Sequence, residues 1–372
     1  MNVLFLTTNW PTDASPVNGV FVREHARALA GRAEVRVVYL ERAPSAGGAF
    51  DMVPLEGEDP PAWSVRYRRL GRPLSYAAFL AGAAAAYRRL RREGFDPDVV
   101  HAHSHLSAVP ALLLGKPVVY TEHWSIFLAA NPGQLSAPMR IGARAVLRRA
   151  DAVLPVSQEL AAALRQLEPR ARLQVVPNAV DERLFHPGSR APNGTPTLLT
   201  AGLLDSDTKG LDILLQTLAQ LGRDVRLEVA GDGALRAGYE ELAGRLGLAG
   251  VTFHGLLPKP RLAELMRRAD LFVLASRWEN NPCVVLEALT GGLPVVATRV
   301  GGLPDLIHDG NGLLAEPGDP AALADALREA LEPGERFDRE QIAREARERY
   351  GQGAVGAQLA AVYEDVLARR AR

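Results

Sequence analysis

An alternation repeated twice constrains this chain most. Short β-branched runs recur as VLFLTT from 3, VRVVYL from 35, DVVHAHS from 98, PVVYTEH from 117, AVLPVS from 152 and LQVVPN from 173. Runs of that length and composition read as buried parallel strands. Between them lie stretches such as GVFVREHARALAGR and LSYAAFLAGAAAAYRRLRREG, whose apolar residues recur at helical spacing and which end near glycine. A connector-like stretch, DERLFHPGSRAPNGTP at 181–196, interrupts the pattern. It then restarts with TLLTAG, VRLEVAG, VTFHG, LFVLAS and PVVAT, separated by amphipathic segments such as GLDILLQTLAQLG and PRLAELMRRA. The chain therefore reads as α/β, with two successive Rossmann-like doubly wound domains whose ligands bind beyond the carboxyl ends of the strands, in a cleft between the domains. Its 372 residues exceed the usual size of one core, in keeping with two. After about residue 334 strand signals stop, and QGAVGAQLAAVYEDVLARRAR carries an apolar helical stripe that must be buried.

Composition removes several functions. Lys+Arg and Asp+Glu both total 43, so no net field favours nucleic acid. The single cysteine, Cys283, excludes an intrachain disulfide framework. MNVLFLTTNW lacks a basic n-region and a long h-region, and no run of about 18 apolar residues occurs, so neither signal peptide nor membrane span is expected. A cytoplasmic location is the expectation.

The stretch SRWENNPCVVLEALTGGLPVV, 276–296, carries two glutamates eight positions apart. Asn281 suits an N-cap, Pro282 the first helical position, and Gly291 and Gly292 the helix end, predicting a helix over about 282–290. Its first turn, at Cys283 and Val284, offers backbone N–H groups and the positive end of a dipole to a phosphate or sugar oxygen. Glu279 stands just outside that end, and Glu287 shares a face with Cys283 and Val284. Two carboxylates there would repel phosphate unless they held hydroxyls, which a sugar and a ribose supply. The competing reading is a capped helix with two solvated glutamates.

The stretch resembles the E-x7-E motif of family-4 retaining glycosyltransferases of the GT-B fold, here Glu279 to Glu287, followed by Ala-Leu-Thr-Gly-Gly-Leu-Pro-Val-Val-Ala-Thr. DVVHAHS, DAVLPVS, VVPNAVD, TKGLDILL, LEVAGDGALR, VTFHG, VGGLPDLI and NGLLAEPGD are similar to family segments in family order, over nearly the whole chain. The resemblance implies an acceptor-binding domain over 1–180, a nucleotide-sugar-binding domain over 181–350, and a helix over 351–372 that crosses back to the first. It implies a sugar moved from a nucleotide diphosphate to an acceptor hydroxyl of a glycan, lipid-linked or small-molecule acceptor, without an essential metal. Glu287 would hold the ribose and Glu279 the donor sugar. Lys209, opening a helix after a strand end, would bind the diphosphate. Asn280 and Asn281 would add donors, Gly19 would lie in the glycine loop near the phosphates, and His103 would act at the reacting face. His123, at another strand end, is an acceptor-side candidate, and a purely structural histidine is the competing reading for both. Two departures stand out: Gly202-Leu203-Leu204 where the family often has Gly-Arg-Leu, and Pro282 where many relatives have glycine.

Several features compete for attention. His101, His103 and His105 alternate, but no downstream ligand spacing accompanies them, so no metal is expected. Asp205-Ser206-Asp207 spells D-x-D but reads as turn chemistry before Lys209, and in GDGALR Arg236 replaces the third glycine of a dinucleotide fingerprint. Arg140, Arg144 and Arg148 form a stripe, and Arg66, Arg68, Arg69 and Arg72 cluster near Tyr67 and Leu70; solvated faces or a peripheral membrane contact are both open. Loops at 43–75 and 124–138 are expected to set the acceptor. Alternatives are a nucleotide-sugar epimerase of the same architecture and a non-catalytic nucleotide-sugar binder.

Overall fold

The computed structural model describes all residues except 14, 44–49, 69–70, 129–134, 189–193 and 333–335. Arg69 and Leu70 of the basic cluster, and parts of the 43–75, 124–138 and 181–196 segments, thus lie outside the described residues. The chain divides into two units, Met1–Ala179 with Gln352–Arg372, and Val180–Gly351.

The first unit runs β1 (Asn2–Thr7), α1 (Val20–Ala28), β2 (Glu34–Ala43), β3 (Phe50–Leu55), β4 (Ala62–Arg68), α2 (Arg72–Arg92), β5 (Val99–His103), α3 (His105–Ala111), β6 (Val118–Glu122), α4 (Ala137–Arg149), β7 (Ala152–Pro155) and α5 (Gln158–Leu167). Its sheet has the order β3-β4-β2-β1-β5-β6-β7. All neighbours are parallel except the edge pair β3 and β4. The sequence reading missed that hairpin, because β3 is partly exposed and β4 alternates basic with apolar residues, unlike the apolar runs of central strands. LQVVPN is not a strand: Leu173 makes only an isolated bridge to Val153, and Val176 donates to Pro155 O at 3.1 Å before Pro177 interrupts the ladder.

The second unit runs β8 (Thr197–Ala201), α6 (Leu211–Gln220), β9 (Arg226–Ala230), α7 (Arg236–Arg245), β10 (Val251–Gly255), α8 (Lys259–Arg268), β11 (Leu271–Leu274), α9 (Cys283–Thr290), β12 (Val295–Thr298), α10 (Leu303–Leu306), β13 (Gly312–Ala315), α11 (Pro320–Ala330) and α12 (Arg339–Tyr350). Its sheet is parallel throughout, in the order β10-β9-β8-β11-β12-β13. The glycine-led GLLA of β13 is a sixth strand beyond the five expected.

The last helix, α13 (Gln352–Arg370), belongs to the first unit. Its stripe of Val355, Leu359, Val362, Tyr363 and Val366 is buried in one core with Val22 and Ala26 of α1 and Leu29 at its C-cap. Close packing there requires glycine: a Cβ on Gly356 would stand 1.8 Å from the carbonyl oxygen of Ala28. No helix among the described residues is long and apolar enough to cross a membrane.

Both sheets reverse their winding once, between β1 and β5 in the first and between β8 and β11 in the second. In doubly wound sheets such switch points open crevices at the carboxyl ends of the strands, where side chains from two loops converge.

Candidate active site

At the second unit's switch point, the loop after β8 is held against the segment after β11. Gly210, the N-cap of α6, has φ +62°, and a Cβ there would lie 1.9 Å from the Ala275 carbonyl oxygen. Arg277 fastens the same loop: its N–H donates to Thr208 O at 2.8 Å and its guanidinium to Asp207 O at 2.6 Å. The guanidinium also pairs with both Asp212 carboxylate oxygens at 3.0 and 2.7 Å. Burial works against the Asp212 carboxylate, but Arg277 outweighs it and holds Asp212 below the usual carboxylate range.

This bracing sets Lys209 beside Glu279, 70 residues away in sequence. Lys209 Nζ donates to Glu279 Oε1 at 2.7 Å, and Ser276 Oγ donates to the same oxygen at 2.7 Å. Gly202 makes room, since a Cβ there would press on the Lys209 stem at 3.1 Å. The glutamate is 7% exposed, whereas the Lys209 side chain is 26% exposed. The two donors offset the cost of burying this carboxylate.

Helix α9 begins one residue later than expected. Pro282, at φ −69° and ψ 115°, is the N-cap in place of Asn281, and its carbonyl accepts from Val285 and Leu286 at 3.0 and 3.3 Å. A proline ring is pre-set for the extended cap conformation, so it stands outside the helix here. Asn280 and Asn281 are buried beside it; Cys283 and Val284 are half-buried at the first turn, whose leading N–H groups have no intrahelical acceptor. Glu287 is buried, 3% exposed, and its Oε1 pairs with Lys259 Nζ. Lys259, the first residue of α8, also lies 5.6 Å over the Phe185 ring. The other oxygen, Glu287 Oε2, is buried and has no hydrogen-bond donor among the described residues. Neither glutamate is the solvated residue of the competing reading.

Two further features read from sequence resolve here. Asp205 Oδ1 accepts from Ala234 N–H at 3.2 Å, and Asp207 lies 3.5 Å from Arg277, so D-x-D serves the loop. Arg236 is a surface residue bonded to Glu240 and Asp232.

In the first unit, β5 pairs with β1 and β6 so that His103 lies opposite Thr7 and Thr121. His101 is engaged at both nitrogens, with Tyr363 Oη at 2.6 Å and Thr121 Oγ1 at 2.7 Å. His103 Nδ1 meets His123 Nε2 at 3.1 Å, and His123 Nδ1 meets Asn178 Oδ1 at 3.1 Å. His25 of α1 joins them, its Nε2 2.9 Å from Pro177 O. His105 is not part of this set: the strand ends at His103, Ser104 takes φ 90°, and His105 starts α3 against Trp124 and Phe127. The positive φ of Ser104 is a strained conformation for a residue with a Cβ, placed directly after a candidate residue. Gly19, φ +70°, caps α1; a Cβ there would meet the Asn9 backbone at 2.4 Å, so close packing of the loop after β1 already demands glycine.

The sequence reading missed Glu122. Fully buried, it accepts from the N–H groups of His123 and Trp124, both at 2.8 Å, and from the Tyr120 hydroxyl, fixing the turn that presents His123. Burial drives His101, His103 and His123 well below the ordinary histidine range, and His25 from 6.5 to about 4. For His25 the folded value lies below the unfolded one, so the unfolded chain binds the extra proton between pH 4 and 6.5. Stability is therefore full above pH 6.5 and declines as pH falls toward 4, by on the order of 3 kcal/mol from this residue. Denaturant titrations at pH 7.5 and about 4.5 should show that loss, and His25→Gln should make it smaller by this residue's share while His101, His103 and His123 keep theirs.

Comparison with known proteins agrees with this architecture. Residues 19–184 match the family described as Glycosyltransferase Family 4, and residues 195–333 match Glycosyl transferases group 1. The chain is 32% identical over 395 residues to the D-inositol 3-phosphate glycosyltransferase of Xylanimonas cellulosilytica, covering 96% of this chain and 93% of that one. Among solved structures, sucrose-phosphate synthase from Thermosynechococcus elongatus superposes with a TM-score of 0.79 at 23% identity over 99% of both chains. Anabaena HepE in complex with UDP and glucose gives 0.75 at 22% identity, over 98% of this chain and 100% of that one. With two doubly wound units in this order and a relative matched end to end, the chain belongs to the family-4, group 1 glycosyltransferases and is a glycosyltransferase of the GT-B fold.

Proposed function

We propose that this enzyme moves a sugar from a nucleotide diphosphate to an acceptor hydroxyl with retention of anomeric configuration. The bond from the sugar's anomeric carbon to the diphosphate oxygen breaks with its electron pair leaving on the nucleoside diphosphate, a bond to the acceptor oxygen forms, and the acceptor's proton passes to the departing diphosphate. The observation that carries the reading is the pairing of Lys209 with buried Glu279 at the switch point between β8 and β11. A half-exposed ammonium braced by its loop is a suitable partner for a leaving diphosphate, whose charge grows in the transition state. Glu279, bound by Ser276 and Lys209, would then turn toward hydroxyls of the donor sugar. Glu287 Oε2, without a donor among the described residues, is suited to a ribose hydroxyl, which donates into a buried carboxylate without adding charge.

The solved complexes of Anabaena HepE with UDP and glucose, and of Arabidopsis starch synthase IV with ADP and acarbose, support a nucleotide donor. In this reading the second unit takes the donor, with Asn280, Asn281, Cys283 and Val284 near the sugar and phosphates and Gly19 supplying close approach. The first unit takes a glycan, lipid-linked or small-molecule acceptor, His103 acts at the reacting face and His123 on the acceptor side. The transfer needs no metal, since Lys209 and the positive end of α9 supply the positive charge.

A product assay tests this. A panel of nucleotide diphosphate sugars, incubated with sugar and polyol acceptors in excess chelator, should give a glycoside with the donor's anomeric configuration. Epimerised donor formed without acceptor would replace the reading with an epimerase, and donor binding without any product would replace it with a binding protein.

A further inference from the structure

His25 of α1, His103 of β5 and His123 after β6 each bring one ring nitrogen within 4.8 Å of the others. Hydrogen bonding assigns two of their protons. His25 Nε2 faces Pro177 O and so carries the hydrogen, leaving Nδ1 with a bare lone pair. His123 Nδ1 donates to Asn178 Oδ1, which leaves a lone pair on its Nε2, 3.1 Å from His103 Nδ1. Two nitrogens at that distance stand as close as two ligands of one ion. Among the described residues, His25 Nδ1 and His103 Nε2 are buried without a hydrogen-bond partner, on residues that are 0% exposed.

Orphaned ring nitrogens in a dry site are unfavourable in a protein that uses them for nothing. A metal-binding histidine characteristically donates its other N–H to a carbonyl, which fixes the ring and aims its lone pair at the metal. Pro177 O and Asn178 Oδ1 stand in that relation to His25 and His123. His101 is excluded from the set, because Tyr363 and Thr121 occupy both its nitrogens. Phe5 and Phe21 pack against the cluster and exclude water on those sides.

We propose that His25, His103 and His123 form a three-histidine site for a divalent transition-metal cation, with zinc as the fitting occupant. Three imidazoles suit zinc's preference for nitrogen ligands and leave a fourth position for water or an anion. Bonds of about 2.0–2.1 Å would draw the three nitrogens to roughly 3.3 Å apart, which small ring rotations achieve. The site is additional to the transfer, which runs without metal; loading it engages His103.

The test uses the full chain freed of metal by a chelator and titrated calorimetrically with zinc chloride, with cobalt(II) as a visible-absorption reporter of coordination. The expected result is one equivalent bound by the wild type, with affinity reduced about tenfold or more in His25→Gln. The imidazole nitrogen resonances of all three histidines should move in zinc-loaded wild type, a reading that needs no variant to fold. Absence of saturable binding, unmoved histidine resonances, or undiminished affinity in folded His25→Gln would each overturn the site. None of these readouts depends on transfer, so the inference stands or falls apart from the proposed function.

Discussion

Glu279→Ala is expected to lower the rate of sugar transfer by about 100-fold or more while the protein stays folded. The carboxylate is 7% exposed and receives two hydrogen bonds, from Lys209 and Ser276, which fix its position. The stability effect should be much smaller. Breaking a fully buried pair is strongly destabilising, but Lys209 is 26% exposed and its ammonium can turn to solvent, so a loss of about 1 kcal/mol is expected. Glu279→Gln keeps the contact with Ser276 and removes the charge, and should fall between wild type and alanine. The kinetics check the assignment: a falling kcat with nearly constant KM marks a contact made in the transition state. An alanine variant within a few-fold of the wild-type rate would remove Glu279 from the reaction.

Gly356→Val, at a buried position of α13, is expected to cause a large loss of stability. Ordinary helix propensity argues the other way, since replacing a mid-helix glycine gains up to about 1 kcal/mol. Here the Cβ would fall 1.8 Å from Ala28 O, and the obstacle is backbone that cannot swing aside. Helices α13 and α1 must separate, which loosens Leu359, Val362, Tyr363 and Val366 and draws Tyr363 away from His101. A cost of about 3 kcal/mol or more follows, seen as a fall of roughly 6–12 °C in the melting midpoint. Gly244→Ala in α7, where a Cβ meets nothing within 4 Å, is the control and should be neutral or slightly stabilising.

What the sequence revealed divides along physical lines. Buried parallel strands announce themselves as short apolar, β-branched runs, so β1, β2 and β5 to β12 are readable from the sequence. β3 and β4 are not, because an edge hairpin facing water on one side has no such run. Carboxylate spacing before and within α9 pointed to Glu279 and Glu287, but their partners are set by the sheet's winding. Lys209 comes from β8's loop, and Lys259 from the start of α8, 28 residues before Glu287. Lys259 had no local signal, since a lysine at a helix start is ordinarily a surface residue. His25 was equally hidden, sitting in VREHARAL where a helix face accounts for it; only the packing of α1 on the sheet brings it to His103. Cap chemistry was misread by one residue at Pro282, since a proline fits both the cap and the first helical position.

The proposed donor site is tested most directly by titrating wild type and Lys209→Met with nucleoside diphosphates and the matching nucleosides. For the preferred base, the wild type should bind the diphosphate well above the nucleoside. The variant should lose about 10- to 100-fold toward the diphosphate and nothing toward the nucleoside, because only the charged contact is removed. Failure of every nucleoside diphosphate to bind the wild type, or equal binding by Lys209→Met, would contradict the account.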